Sequence, residues 1–172
     1  MRQNDWDWMT GSLTEKMFPM VGTSWKDETY IDEDGTEVHR NNSEYETYNN
    51  SMKFVLTHQR WDPKDPSTRE ASDLFAEIAL AIEEILDREI DWGDLELFSA
   101  LGTSLDFYHG IDAFVRYRRR KIVTMDITRN PLKEEGKADF ILQFSGLEEN
   151  EKGYVFKKPA KEIARLLLAH AA

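Results

Sequence analysis

The chain has 172 residues, no cysteine, and 33 acidic against 22 basic side chains, for a net charge of −11. That length allows one ordinary domain, or a domain with an arm, and the missing thiols exclude a disulfide scaffold, a thiolate zinc site and a cysteine nucleophile. It is 40% hydrophobic and 12% aromatic, enough for a real core. No apolar run approaches the ~20 residues that span a bilayer, and residues 1–10, with Asp5 and Asp7, do not form a signal peptide. A soluble, cytoplasmic protein with no membrane partner is expected.

Residues 1–66 are rich in Asn, Thr, Asp and Trp and lack helical periodicity. Asp34-Gly35 reads as a two-residue hairpin turn between strands at 29–31 and 36–39, and residues 52–57 read as a further strand. Trp6, Trp8, Met9, Met17, Phe18 and Met20 are too apolar for a free tail. This arm should pack on the main domain or on a partner, either another protein or a second copy of the chain. Pro63 and Pro66 punctuate the sequence, and the boundary between arm and core falls between residues 66 and 67.

The core, 67–172, opens with a helix. Ser67 and Glu70 make a capping box, and Leu74, Phe75, Ile78, Ile82, Ile85 and Leu86 recur at helical spacing, so a helix is predicted over 67–88. A short strand is possible at 95–98 in an otherwise ambiguous stretch. Three strand-like runs follow, at 111–117, 122–128 and 138–144, with a nine-residue loop, 129–137, between the last two. Gly146 to Gly153 is a charged loop. Pro159 then opens a second helix in which Ile163, Leu166, Leu167 and His170 share a face. The fold class is α/β in the α+β sense: a helix, a mixed, mostly antiparallel central sheet of about four strands, and a C-terminal helix, with an N-terminal arm.

The run 111–128 supports a closer argument. Ile111, Ala113, Val115 and Tyr117 alternate with Asp112, Phe114 and Arg116, and Val123, Met125 and Ile127 alternate with Ile122, Thr124, Asp126 and Thr128. Both wholly apolar sets must face one core, which fixes the parity of the pairing. A three-residue connection through Arg118, Arg119 and Arg120 pairs Tyr117 with Lys121 and sets Asp112 opposite Asp126, with Cβ atoms ~5 Å apart. Thr128 points to the same side. Facing carboxylates repel unless something neutralises them. A divalent cation such as Mg²⁺ does so with one or two carboxylates, waters and a substrate phosphate, which is the setting of metal-assisted phosphodiester hydrolysis. The structural alternative has Asp112 capping a turn after Gly110 and Asp126 solvated or paired with Arg116 or Arg129.

The segment Gly110-Ile111-Asp112-Ala113-Phe114-Val115, with Val123-Thr124-Met125-Asp126-Ile127-Thr128 after the turn, resembles the restriction-endonuclease-like, or PD-(D/E)XK, nuclease core over residues 67–144. The resemblance implies Asp112 and Asp126 as catalytic metal ligands for Mg²⁺ or Mn²⁺. It also implies an acid from the preceding helix, Glu77, Glu83 or Glu84, of which Glu77 sits at the border of the apolar stripe. Thr128 stands where the family has a lysine. Lys133 or Lys137 of the following loop would have to supply the ammonium, although the motif places neither. The loop 129–137 is too short for the helix that commonly follows.

Charge is unevenly spread. Residues 67–110 hold 2 basic and 11 acidic side chains, whereas residues 111–172 hold 13 and 9. The cluster Arg116, Arg118, Arg119, Arg120 and Lys121 is a solvated hairpin tip or a contact to DNA phosphates. The chain is therefore expected to be a metal-dependent deoxyribonuclease domain with weakened or lost activity. The alternatives are a non-catalytic interaction subunit of the same fold and an unrelated α+β binding module. No base-stacking platform is expected, because the aromatic residues of the arm lack interleaved Lys or Arg.

Overall fold

The computed structural model describes residues 16–18, 21, 26–31, 37–42 and 45–169. The Asp34-Gly35 turn, Trp6, Trp8, Met9, Met20 and His170 lie outside them. Strands β1 (Lys26–Ile31) and β2 (Glu37–Asn42) pair antiparallel, so the expected hairpin is present. Ile31 pairs with Glu37, one residue away from the register that a two-residue turn at Asp34-Gly35 would impose.

Residues 52–57 are not a strand. They belong to helix α1 (Tyr48–Thr57), whose N-cap Thr47 accepts the Asn50 N–H. Ser51, Met52 and Val55 are its buried face, a one-three-four spacing too short to be told from a strand by apolar content alone. Helix α2 (Arg69–Leu86) matches the predicted helix but is two residues shorter at each end. Thr68 is the cap, accepting from Ala71, so Ser67 and Glu70 do not form the expected box. Asp87 ends the helix in the left-handed region, φ 50°.

The central sheet runs β3 (Leu95–Ser99), β4 (Ala113–Tyr117), β5 (Lys121–Thr128), β6 (Phe140–Gln143) in that spatial order. The first three strands are antiparallel, and β6 lies parallel to β5. Between β3 and β4 a short helix, α3 (Ser104–His109), runs from its Thr103 cap to Gly110 at φ 63°. The charged loop after β6 holds a small ladder, β7 (Glu149–Asn150) with β8 (Gly153–Tyr154). Helix α4 (Lys157–Ala169) closes the described chain and starts two residues before Pro159.

Each face of the sheet is covered. Leu95, Leu97, Val115, Val123, Met125 and Ile127 pack with Leu74, Ile78 and Ile82 of α2 and Ile163 and Leu167 of α4 in the main core. The opposite face carries Phe98 and Phe114, stacked with centroids 4.8 Å apart. It is covered by Met52 and Val55 of α1, Leu105 of α3 and Ile111. The end of the arm joins the core: Trp61 lies in the main core and donates Nε1–H to the Leu97 carbonyl, while the Leu97 N–H reaches the Pro63 carbonyl at 2.8 Å. Met17 and Phe18 are buried against the same core, as expected for an arm that packs on the domain. No helix among the described residues is long and apolar enough to cross a membrane.

Candidate active site

The predicted odd-length turn holds: Tyr117 pairs with Lys121 and the ladder runs to Ala113 opposite Met125. Asp112 lies one residue past that last pair and does not continue it. Its N–H donates to the Met125 carbonyl at 2.9 Å, and its own carbonyl accepts from Ala100 at 2.8 Å. Its Oδ2 accepts the Ile127 N–H at 2.7 Å. The side chain thus caps the edge of β5, and the expected face-to-face pair becomes a staggered one. Asp126 is buried, and its Oδ2 is 2.5 Å from Lys133 Nζ. It faces neither solvent nor Arg116 or Arg129, the partners considered from the sequence; Arg129 donates to the Tyr154 hydroxyl.

Lys133 arrives because β6 is parallel to β5. The chain must return along β5 before it can pair again, so the segment 129–139 folds back over Asp126. Asp139 anchors the return, accepting from the Thr124 N–H and hydroxyl at 2.9 and 2.8 Å. Gln143 holds the Lys133 carbonyl at 2.6 Å. Gly136 passes so close that a Cβ there would stand 3.1 Å from Asp126 Oδ2. Thr128 is buried, and its hydroxyl accepts the Asn130 N–H at 3.0 Å, which starts the turn that carries Lys133.

A third carboxylate joins the pair. Asp106 of α3 accepts the Gly102 N–H at 2.9 Å and lies within hydrogen-bonding reach of Asp112. Burial pushes the Asp112 carboxyl up to about 7, and the negative charges of Asp106 and Asp126 add to that; the Ile127 N–H and Lys133 oppose it. Burial also raises Asp106, with Asp126 adding to it and the Gly102 N–H and Asp112 opposing it. Asp112 and Asp126 thus share the influence of Lys133, Asp106 adds a further carboxylate beside Asp112, and burial with mutual repulsion favours the protonated forms of Asp106 and Asp112. Asp106 was hidden in a stretch without long periodicity. Its local signals were Thr103 as a cap, an acid three residues later and Gly110 as a stop.

The helical acids do not come to this pair. Helix α2 packs on the face of Val123, Met125 and Ile127, whereas Asp126 alternates to the other face. Glu77 lines a cavity of about 220 Å³ with Lys152 and Tyr154. Glu83 accepts from Ile90 and Trp92, and Glu84 pairs with Lys161 at 2.5 Å. Among the described residues no three His, Cys, Asp or Glu converge as a metal cage. The donor set that remains, Asp112 and Asp126 with more negative charge than Lys133 neutralises, fits an ion that takes two carboxylates and completes its shell with water and phosphate oxygens.

The basic cluster stands elsewhere. It occupies the far tip of the β4–β5 hairpin, ~20 Å along the strand from Asp112 at 3.3 Å per residue. There Arg116 Nε meets Glu96 Oε2 at 2.7 Å and Arg118 Nε meets Asp94 Oδ2 at 3.1 Å. Arg118, Arg119 and Arg120 border a cavity of about 630 Å³ whose other walls include Asp91, Asp94 and Glu96. Lys121 Nζ is buried with no hydrogen-bond partner among the described residues. Compared with known proteins, the chain matches no family model, no curated protein and no solved structure.

Proposed function

We propose that this chain is a metal-dependent nuclease of the PD-(D/E)XK type, hydrolysing phosphodiester bonds of DNA with Mg²⁺ or Mn²⁺. The observation that carries the reading is the Lys133 ammonium on Asp126 beside Asp112. It supplies from the loop the cation that β5 lacks at Thr128. Asp112 and Asp126 would hold the metal, which when bound acts as a Lewis acid and lowers the pKa of water. Lys133 orients the attacking water between the pair and the phosphate and offsets charge developing at phosphorus. Asp106 is a positioning residue beside Asp112, its own carboxyl fixed by the Gly102 N–H. Glu77 has no part in this reading, and the arginine tip could touch DNA only well away from the scissile bond.

The test is calorimetric titration with Mn²⁺, paired with cleavage of plasmid and single-stranded DNA in Mg²⁺ and in Mn²⁺. Wild type is expected to bind Mn²⁺ and cleave; Asp126→Asn is expected to lose both and stay folded. Cleavage that survives Asp112→Ala would sink the proposal. A non-catalytic reading of the same fold draws on a different fact, that Ile127 and Lys133 already satisfy one oxygen of each aspartate from within the chain. That reading expects no Mn²⁺ binding and a large loss of stability in Asp126→Asn.

A further inference from the structure

Helix α3 carries two chemistries. Asp106 reaches toward Asp112, while Phe107 and Tyr108 are 53% and 40% exposed. Tyr45, 65% exposed, sets its ring edge-on to Tyr108 at 5.4 Å and lies 6.0 Å from His109. Tyr48 meets His109 at 5.7 Å. These rings come from segments far apart in sequence and are fastened together: His109 Nε2 bonds the Glu46 carbonyl at 2.9 Å, and the Glu46 N–H donates to Ser104 Oγ at 3.0 Å. The loop that brings Lys133 to Asp126 also brings Lys137, whose Nζ donates to the Tyr108 carbonyl at 3.0 Å. Rings and carboxylates therefore share the same two supports, α3 and the loop 129–137. A cavity of about 300 Å³ opens beside them between α1 and α3, with Glu46, Asn50, Lys53 and Phe54 on its walls.

An exposed aromatic cluster, already ordered and continuous with a phosphate-directed site, fits flat π-faced groups joined by phosphates. We infer that the substrate of the carboxylate site is single-stranded DNA, or an unpaired DNA end, whose bases stack on Tyr45 and Tyr108 while its phosphate reaches Asp112, Asp126 and Lys133. This rests on the phosphodiester reading above. A duplex hides its base faces and binds mainly through many cationic contacts to phosphate, which the acidic segment 67–110 opposes. A single strand needs fewer charges because stacking supplies much of its affinity, and Lys137 stands beside Tyr108 to meet its backbone.

The experiment is fluorescence anisotropy in EDTA, where cleavage is silent, using oligothymidine of about 20 nucleotides, an abasic strand of equal length and a duplex. Oligothymidine is expected to bind at least about tenfold tighter than the other two probes. The double variant Tyr45→Ala/Tyr108→Ala is expected to weaken oligothymidine about ten- to a hundredfold and leave the abasic strand unchanged. Tyr108→Phe, which keeps the ring, should bind like wild type. The inference is overturned if duplex or abasic strand binds as well as oligothymidine, or if the double variant leaves that affinity intact. It is also overturned if the double variant changes only the sedimenting mass, which would assign the rings to a protein contact. Any of these results with plasmid cleavage intact would leave the phosphodiester reading standing. Absence of both Mn²⁺ binding and cleavage in wild type would remove that reading, and this inference with it.

Discussion

The two ends of the β4–β5 hairpin carry opposite charge in the sequence and are treated in opposite ways by the fold. At the open end Asp112 and Asp126 lie beside Lys133 with Asp106 next to Asp112, leaving negative charge in excess and the Asp112 carboxyl pushed up to about 7. At the turn end two of the five basic residues are paired with local acids: Arg116 with Glu96 and over the Phe98 ring, Arg118 with Asp94 and over the Tyr117 ring. Concentrated like charge without full compensation costs stability and persists where something else is meant to bind. Paired surface charge of the second kind is ordinary solvation of a strand tip. A charge cluster in sequence is thus no guide to a binding site until its partners are known.

The largest expected contrast between the ends is in rate. Lys133→Met removes the ammonium placed on Asp126 and should lower DNA cleavage by about 10² to 10⁴, with Lys133→Arg partly restoring it. Arg120→Ala at the other end should leave the rate within about tenfold. Steady cleavage assays on both variants check this, and an equal loss at the two ends would erase the distinction.

A second contrast is in pH. Asp112 gives up its proton near pH 7 when folded, against an ordinary value of 3.8. Between those values the folded chain holds a proton that the unfolded chain has lost, so stability falls as pH rises through the window and the loss is complete above about 7. The size is on the order of 2–4 kcal/mol, reduced by coupling to Asp106. Urea unfolding in EDTA at pH 4.5 and pH 8 is expected to show it in wild type, and Asp112→Asn should flatten it. Adding Mn²⁺ at pH 8 should recover stability in wild type only.

How much of this was legible in the sequence depended on how local the cause was. Alternation over 111–128 carried the register, the three-residue connection and the pairing of Tyr117 with Lys121. It also singled out Asp112 and Asp126, but set them directly opposite, whereas Asp112 lies past the last pair of the ladder. The acid from α2 was misplaced because side-chain spacing says which residues share a helix face but not which face of a sheet that helix covers. Lys133 could be named but not placed, since its position follows from the parallel return of β6, a long-range choice. Asp106 and α1 were missed because helices of six and ten residues carry too few turns to show a period. The ring cluster joins Tyr45 to Tyr108 across the fold, so composition of the arm alone spoke against it.

A smaller effect separates two arginines at the same tip. Arg116 and Glu96 are mostly buried together, their side chains 19% and 11% exposed. Arg116→Ala strands the Glu96 carboxylate and should cost about 1–3 kcal/mol in chemical denaturation. Arg118 and Asp94 are 51% and 38% exposed, and Arg118→Ala should cost less than about 1 kcal/mol, shrinking further in high salt. Similar costs for both would mean that the tip is held by its charges as a network and is less like ordinary surface than its geometry implies.

The smallest expected effect concerns the backbone of that tip and decides whether its arginines are there for their side chains. Arg118 and Arg119 both sit at positive φ, 52° and 57°, and the Arg120 N–H closes the turn on the Tyr117 carbonyl at 3.3 Å. Turns with two left-handed residues favour glycine and asparagine, and an L side chain there costs about 1–2 kcal/mol. Arg119→Gly relieves that strain but loosens the unfolded chain, so a net gain of about 0.5 kcal/mol is expected, read as a rise in Tm of a few degrees or less. If the tip is only a solvated turn, DNA affinity and cleavage should not change with it. A gain in Tm together with weaker DNA binding at low salt would instead assign Arg119 to a phosphate remote from the scissile bond, and the strain would then be the cost of holding a guanidinium in that place.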